Sequence, residues 1–261
     1  MVLLRPQSAF SLVELSIVLV ILGLLTGGIL GGQSLIRAAE LRSVTADFQR
    51  YTTAVYTFRD KYFAIPGDMT NATAFWGFAA GTVGNDATCF DASQTGMGTC
   101  NGNGDGHMVT GTASTNNQLG EAFHAWKHLA NAGLIEGSFT GYRGPVSVYD
   151  ATIGVNVPRS RISNAGFTLW YAGAGYTDAN WFPVPGKPLI LFGGESDSVT
   201  EGPVLKPEEA WNIDTKLDDG TPGLGAVRTY KNSCVSTTDP ATAVYQLSLN
   251  GNFCNVYAYL N

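Results

Sequence analysis

The feature that most constrains this chain of 261 residues is an apolar run near its start. Residues 10–32 contain one formally charged side chain, Glu14, and the run is about as long as a helix needs to cross a bilayer. No A-x-A-like cleavage site closes the run, so it differs from an ordinary secretory signal. An unpaired carboxylate in apolar surroundings costs several kcal/mol or takes up a proton. The sequence therefore predicts a membrane-spanning helix in which Glu14 needs a partner.

The helical pattern continues beyond this run as an amphipathic stripe. Its apolar residues recur at alternating spacings of three and four: Leu41, Val44, Phe48, Tyr51, Val55, Phe58 and Tyr62. This spacing places them on one face of a helix, which is expected to pack against the domain that follows. Pro66 and Gly67 end the pattern. Four glycines lie at the join and allow either a hinge or a close helix–helix approach: Gly27, Gly28, Gly31 and Gly32.

The rest of the chain is predicted to be an α+β domain with an antiparallel sheet. With 32 Gly and only 14% charged residues, it favours many turns. A long loop is expected over residues 67–118, a helix over 117–132 that Gly133 stops, and a short helix over 207–217. Strands are predicted at 145–153, 166–173, 188–193, 225–231, 243–249 and 254–260.

Charge and motifs exclude several classes of function. A net charge of −6 and a pI near 5.0 argue against a nucleic-acid-binding protein, because no basic stripe is present to neutralise phosphates. The sequence contains no G-x-S-x-G nucleophile motif, no P-loop and no nucleotide-binding glycine pattern after a strand. We therefore expect a protein that is not an enzyme.

The four cysteines fall into two sequence-local pairs, Cys89 with Cys100 and Cys234 with Cys254. Four cysteines allow three connectivities, which the sequence leaves open, although locality favours these two pairs. Disulfides indicate an oxidising compartment such as a periplasm or the cell exterior. A zinc site is the alternative, and the lack of C-x-x-C spacing argues against it.

The N-terminus resembles the prepilin family, which comprises type IV pilins and the pseudopilins of type II secretion. The stretches that carry the resemblance are "MVLLRPQSA" and then "FSLVELSIVLVILGLL". The resemblance implies that a prepilin peptidase cuts between Ala9 and Phe10 and that Phe10 is then N-methylated. The family usually has Gly before the cut, where this chain has Ala9. It also implies that Glu14 pairs with the new amine of a neighbouring subunit.

The resemblance implies a pilin-like fold and a division of the chain into three parts. Residues 1–9 would be the leader and residues 10–65 the N-terminal helix, with 10–32 for the membrane and assembly and 33–65 amphipathic. Residues 66–261 would be the globular head. In type IV pilins a disulfide near the C-terminus often encloses a variable surface loop, and the second cysteine pair is placed to do so.

The function implied is that of a structural filament subunit, and its length favours a minor one. Its partners would be other pilin or pseudopilin subunits and the prepilin peptidase. Before assembly it would span the bacterial inner membrane with its head in the periplasm, and afterwards it would lie in a periplasmic or surface filament, with adhesion among the roles of the head. The alternative from another class is a signal-anchored periplasmic binding protein or enzyme.

Two acidic stretches are candidate calcium sites. "NGNGDG" places Asn101, Asn103 and Asp105 like the front half of an EF-hand loop, but it needs another carboxylate, from Asp86, Asp91 or Glu121. The alternative is a turn that uses Asn and Asp side chains.

The second stretch carries Asp214, Asp218 and Asp219 before a glycine. Major pseudopilins hold a structural calcium near their C-terminal end, so the resemblance points to calcium here too. A helix that ends in an Asp-Asp-Gly turn is the alternative.

His124 and His128 lie four residues apart on the predicted helix, and Glu121 lies one turn before them. They offer three ligands to a metal, but not in the H-E-x-x-H order of a zinc protease. We expect a partly solvated polar face of the helix instead.

Overall fold

A computed structural model describes residues 11–79, 96–108, 120–141, 151–171, 173, 180–196, 199–231 and 233–260. Its helices are α1 Leu12–Tyr62, α2 Ala72–Trp76, α3 Glu121–Asn131 and α4 Pro207–Leu217. Its strands are β1 Ala165–Tyr171, β2 Pro188–Gly194, β3 Val227–Arg228 and β4 Val256–Tyr259. The strands form one antiparallel sheet in the order β1-β2-β4-β3. A long apolar N-terminal helix with a small antiparallel sheet confirms the α+β prediction.

The chain divides into two compact units, Met1–Leu41 and Arg42–Asn261, and α1 contributes to both. Within the first unit α1 is apolar and largely exposed. The predicted division into leader, helix and head at residues 9 and 65 stays a prediction.

Within the second unit, the stripe on α1 forms the centre of the core, as its spacing predicts. Phe48 meets Phe167 of β1 edge-on, with ring centroids 5.5 Å apart, and it also contacts Phe192 of β2. Tyr51 lies between Trp126 of α3 and Phe167, with centroid distances of 4.8 and 5.1 Å. The stripe therefore joins helix α3 to one face of the sheet.

Strand β2 is central and buried on both faces, because a second cluster covers the other side of the sheet. Leu189 and Leu191 point into this cluster together with Trp181 and Tyr257. The ring centroids of Trp181 and Tyr257 are 4.7 Å apart. Alternate residues of β2 thus serve two cores, as a strand covered on both faces requires.

Helix α1 ends at Tyr62, before Pro66. Its last turn closes with a bond from the backbone N–H of Phe63 to the carbonyl of Arg59, 2.8 Å long. Phe63 has φ +52, in the left-handed region, and its side chain is 93% exposed. This position is usually taken by glycine, because a Cβ is strained there.

The short helix α4 matches its predicted bounds of 207–217. Pro207 occupies the first helical position, where a missing N–H costs nothing, and Glu209 accepts the backbone N–H of Lys206 at 2.9 Å. Helix α3 ends at Asn131, and Gly133 follows with φ +72, as the stop signal predicts.

Several predicted strands are wrong or shorter than expected. Residues 243–249 form turns, with only an isolated bridge between Tyr245 and Val235. Of 145–153, residues 145–150 lie outside the described residues and Ile153 makes only an isolated bridge. The long loop of 67–118 also contains the short helix α2. Short pieces held by side-chain and disulfide contacts replace regular pairing here.

The disulfide between Cys234 and Cys254 is present, with the two Cα atoms 5.1 Å apart and a sequence separation of 20 residues. It ties the segment before β4 to the turns that follow β3. Cys100 is buried, but Cys89 lies outside the described residues, so that pair stays a prediction.

Candidate functional site

The N-terminal turn of α1 is held by Glu14 itself. The Oε2 atom of Glu14 accepts the backbone N–H of Ser11 at 2.8 Å, and the Oγ of Ser11 accepts the backbone N–H of Val13 at 3.1 Å. This pair is a variant of the capping box, in which Ser11 bonds the second helical residue instead of the third, and it satisfies backbone groups that the helix leaves open at its start. The sequence signal was available, because "SLVE" is an S-x-x-E pattern. Ala9 and Phe10, the predicted processing residues, lie outside the described residues.

The capping box leaves room for a second partner of the same carboxylate. A carboxylate has two oxygens and about four acceptor positions, and the Ser11 N–H occupies one oxygen. Ser11 is also the residue next to Phe10, on which the predicted cleavage would create an amine. The Glu14 carboxylate thus bonds the residue that follows the predicted new amino terminus in the sequence.

The first part of α1 is long and apolar enough to cross a membrane. An 18-residue window has a mean hydropathy of 2.4, and none of it is buried. Large apolar side chains are exposed around the helix, among them Leu12 at 85% and Leu24 at 73%. A helix that is apolar all round matches a membrane span or a tightly packed bundle.

The first predicted calcium stretch contributes to a carboxylate cluster whose members are Asp68, Asp105 and Glu121. One oxygen from each lies within 4.8 Å of the others. Asp68 accepts backbone N–H groups from Gly104 at 2.6 Å and from Gly106 at 2.8 Å. Burial raises the pKa of Asp68, while these hydrogen bonds lower it.

The residues of this stretch that were predicted to bind calcium do not all lie at the cluster. Asn103 stays at the cluster and donates its backbone N–H to Glu121 at 3.2 Å. Asn101 instead accepts the backbone N–H of Thr73 at 2.9 Å, at the start of α2. Glu121, which the sequence offered as a possible extra ligand, does join the cluster, while Asp86 and Asp91 lie outside the described residues. Asp68 was missed, because nothing local in the sequence links it to a loop more than thirty residues away.

The second acidic stretch also converges. Asp214, Asp218 and Asp219 bring one oxygen each within 4.8 Å of the others. Asp214 is fully buried and accepts the hydroxyl of Tyr245 at 2.8 Å and the backbone N–H of Gly220 at 3.1 Å. Burial is the main cause that raises the pKa of Asp214 to about 7; the charges of Asp219 and Asp218 add to the rise, and the two hydrogen bonds oppose it.

Asp218 has a structural duty of its own. Its Oδ2 atom accepts the backbone N–H groups of Ala226 and Val227, which lie at the start of β3. The carboxylate therefore holds the start of this two-residue strand by accepting these two backbone hydrogen bonds. In each cluster the carboxylates lie close together. Calcium binding at either cluster stays a prediction.

The expectation of a partly solvated polar face on α3 is wrong. Glu121, His124 and His128 are each 0% exposed, and Lys127 is 1% exposed. The helix is buried from Glu121 to Leu129, and two single glycines contact it directly: Gly67 at its backbone and Gly141 at the side chain of His124. A Cβ on Gly67 would lie 2.2 Å from the carbonyl oxygen of Glu121.

The comparison with protein families identifies one region of the chain. The family model described as the prokaryotic N-terminal methylation motif matches residues 4–30. The chain carries a prepilin-type signal. This is the signal of type IV pilins and pseudopilins, and it includes Ala9, Phe10 and Glu14. No curated protein and no solved structure matches the chain.

The prepilin-type signal bears on function in general terms. It supports a processed subunit of the pilin or pseudopilin type and points to a structural rather than catalytic role. It implies contact with other such subunits and with a prepilin peptidase. Together with the exposed apolar helix, it indicates anchoring in a membrane.

Proposed function

We propose that this protein is a minor structural subunit of a type IV pilus or of a type II secretion pseudopilus. A prepilin peptidase cuts it between Ala9 and Phe10, Phe10 is N-methylated, and the mature chain polymerises through its N-terminal helix. The observation that carries the proposal is the prepilin-type signal at residues 4–30, which runs into a helix that is apolar on all sides.

The location follows from the same features. Before assembly the apolar half of α1 is stored in the inner membrane and the disulfide-bonded head lies in the periplasm. The disulfide between Cys234 and Cys254 supports this placement, because such bonds persist in oxidising compartments. After assembly the head lies on the outside of the filament, where adhesion or contacts with filament partners would take place.

In this proposal Glu14 sets the register between subunits. When helices pack side by side with a stagger, the amine of one chain can approach the carboxylate of another. In apolar surroundings the attraction is much stronger than in water, although desolvation offsets much of it. Removing one partner would leave a buried charge uncompensated, at about 3–5 kcal/mol.

The processing step is tested by the intact mass and N-terminal sequence of the native protein. A mature chain that begins at methylated Phe10 is the expected result. An Ala9→Gly variant, which restores the residue usual in the family, should be cut at the same bond. A retained leader, or a cut at another bond, would instead favour a signal-anchored periplasmic protein.

The role of Glu14 in assembly is tested separately from its role in the capping box. Glu14→Gln keeps an acceptor for the Ser11 N–H but removes the charge, whereas Ser11→Ala removes the hydroxyl cap and keeps the charge. We expect both variants to be cleaved. In purified filaments, we expect Glu14→Gln to be depleted and Ser11→Ala to be present. Normal incorporation of Glu14→Gln would contradict the register role.

A further inference from the structure

A buried relay of hydrogen bonds runs between helix α3 and the segment that follows α1. The Nδ1 atom of His128 lies 2.9 Å from the backbone nitrogen of Gly67, and its Nε2 atom lies 2.9 Å from the hydroxyl of Thr99. The same hydroxyl lies 3.4 Å from Nδ1 of His124. We call residues 66–69 the strap, because Gly67 lies directly against the backbone of α3.

The N–H of Gly67 fixes the direction of both bonds to His128. The N–H of Gly67 can only donate, so Nδ1 of His128 must accept and carries no proton. The proton of a neutral His128 is then on Nε2 and points to the Thr99 oxygen. Between the Thr99 hydroxyl and Nδ1 of His124, the tautomer of His124 decides which atom donates. A further proton on Nδ1 of His128 would therefore face the N–H of Gly67, and that bond would break.

The surroundings offer little room for a charged imidazole. His128 is fully buried and lies parallel to the ring of Phe58 of α1, with centroids 6.2 Å apart and an interplanar angle of 8°. Trp76 of α2 lies on it as well, at 5.3 Å. Burial lowers the pKa of His128 to about 3, although a backbone hydrogen bond at Cys100 acts to raise it, and burial lowers the pKa of His124 well below its usual value.

The charged groups around His128 do not offset this burial. Lys127 is the neighbouring charge on α3, and it lowers the pKa of both histidines. From the strap, Asp68 directs its carboxylate to backbone N–H groups of the loop at 104–106. Helices α1 and α2 present aromatic rings to His128.

We propose that the Gly67–His128–Thr99–His124 relay is an acid-sensitive latch, which releases the strap from helix α3 when His128 takes up a proton. An opened strap exposes the imidazole, which then titrates near its ordinary value of 6.5. Below that pH the opened form gains a proton that the closed form excludes. The opening equilibrium therefore rises about tenfold per pH unit for each histidine exposed.

The test is hydrogen exchange of the full chain in detergent micelles, with chelator present so that cation binding makes no contribution. Protection factors are corrected for the intrinsic pH dependence of exchange. Between pH 6.5, where an exposed histidine is already half protonated, and pH 5.0 we expect protection at Gly67 to fall about 16-fold if one histidine is exposed and about 270-fold if both are. Protection in β2 serves as the internal reference.

Two variants make the test specific. His128→Asn keeps an acceptor for the Gly67 N–H but cannot titrate. On acidification, the opening equilibrium of this variant should therefore rise without the contribution from protonation of His128. His107→Asn is the matched control, because His107 is partly exposed, stacks on Tyr171 and lies outside the relay. Equal pH dependence at Gly67 in His128→Asn and in the wild type would overturn the latch.

A second measurement uses only the wild type, so it does not depend on whether a variant folds. In the wild type, the imidazole resonances of the three histidines are followed by NMR as the pH is lowered. We expect His124 and His128 to show no titration until the strap opens. A smooth titration of His128 near pH 6.5 without loss of protection at Gly67 would overturn the proposal.

Discussion

Replacing Asp214 by asparagine should change how the stability of the head depends on pH. Asp214 is fully buried at the end of α4 and bonds the hydroxyl of Tyr245, which lies inside the loop that the Cys234–Cys254 disulfide closes. Asparagine has almost the same shape and keeps one oxygen as an acceptor. It removes the charge without opening a cavity.

The sign follows from the direction of the shift. The pKa of Asp214 rises from 3.8 to about 7, chiefly through burial, so the folded chain holds a proton that the unfolded chain has lost. Stability from this group is fully present below pH 3.8 and is lost as the pH rises through 7. At ~1.4 kcal/mol per pH unit, the loss between pH 5 and pH 8 is about 2–3 kcal/mol.

As the pH rises from 5 to 8, we therefore expect the free energy of unfolding of Asp214→Asn to increase by about 2–3 kcal/mol relative to that of the wild type. At ~2–4 °C per kcal/mol, the difference in Tm should move by roughly 4–12 °C. Thermal melts of both chains in detergent, with chelator, measure it. Asp60→Asn, on the exposed face of α1, is the matched control. A difference in Tm that is the same at both pH values would refute the buried-acid explanation.

The same melts test the calcium predictions. A cation held by Asp214, Asp218 and Asp219 would favour their charged forms, so calcium should raise the Tm of the wild type most at pH 8 and leave Asp214→Asn unchanged. Asp105→Asn reports on the other cluster in the same way. If the Tm of the wild type is equal in calcium and in chelator, neither cluster is a calcium site.

Three further substitutions test the packing of the head. Phe48→Ala should cost about 3–5 kcal/mol by opening a cavity between α1 and the sheet, whereas Phe75→Ala, which is 56% exposed, should change the Tm little. Phe63→Gly should raise the free energy of unfolding by about 0.5–1 kcal/mol, because it removes the Cβ from a residue whose backbone is in the left-handed region. An unchanged or lower Tm would contradict this. Cys234→Ser should cost about 3 kcal/mol in a denaturant melt, since it opens a loop of about 20 residues.

Patterns that are local along the chain predicted the structure well. The stripe on α1 could be identified because an amphipathic helix repeats every three or four residues, and Val44, Phe48 and Phe58 are buried as that repeat requires. Helix α4 could be bounded because Pro207 marks a helix start through its fixed backbone angle. These signals depend on the residues themselves and not on what packs against them.

Features that depend on distant segments were not predictable in the same way. The polar side chains of α3 look like a solvated face, but segments distant in the sequence cover them, among them those of Gly67, Gly141 and Trp76. Asp68 joins the acidic cluster because the loop at 104–106 turns its N–H groups toward it. In both cases glycine allows two backbone segments to approach closely. The local sequence pattern does not predict which distant segment each glycine contacts.

The apolar half of α1 argues for a partner more specific than lipid. The head has two cores of its own, yet none of the 18-residue apolar window is buried within the chain, and each large side chain left exposed forgoes about 1.5–3 kcal/mol. A bilayer or a bundle of like helices would supply that burial equally well. Glu14 distinguishes them, because hydrocarbon offers no donor to a carboxylate, whereas in the proposed filament a neighbouring subunit would offer an amine at the start of the same kind of helix. The capping box uses one oxygen of Glu14 and leaves the other for that amine.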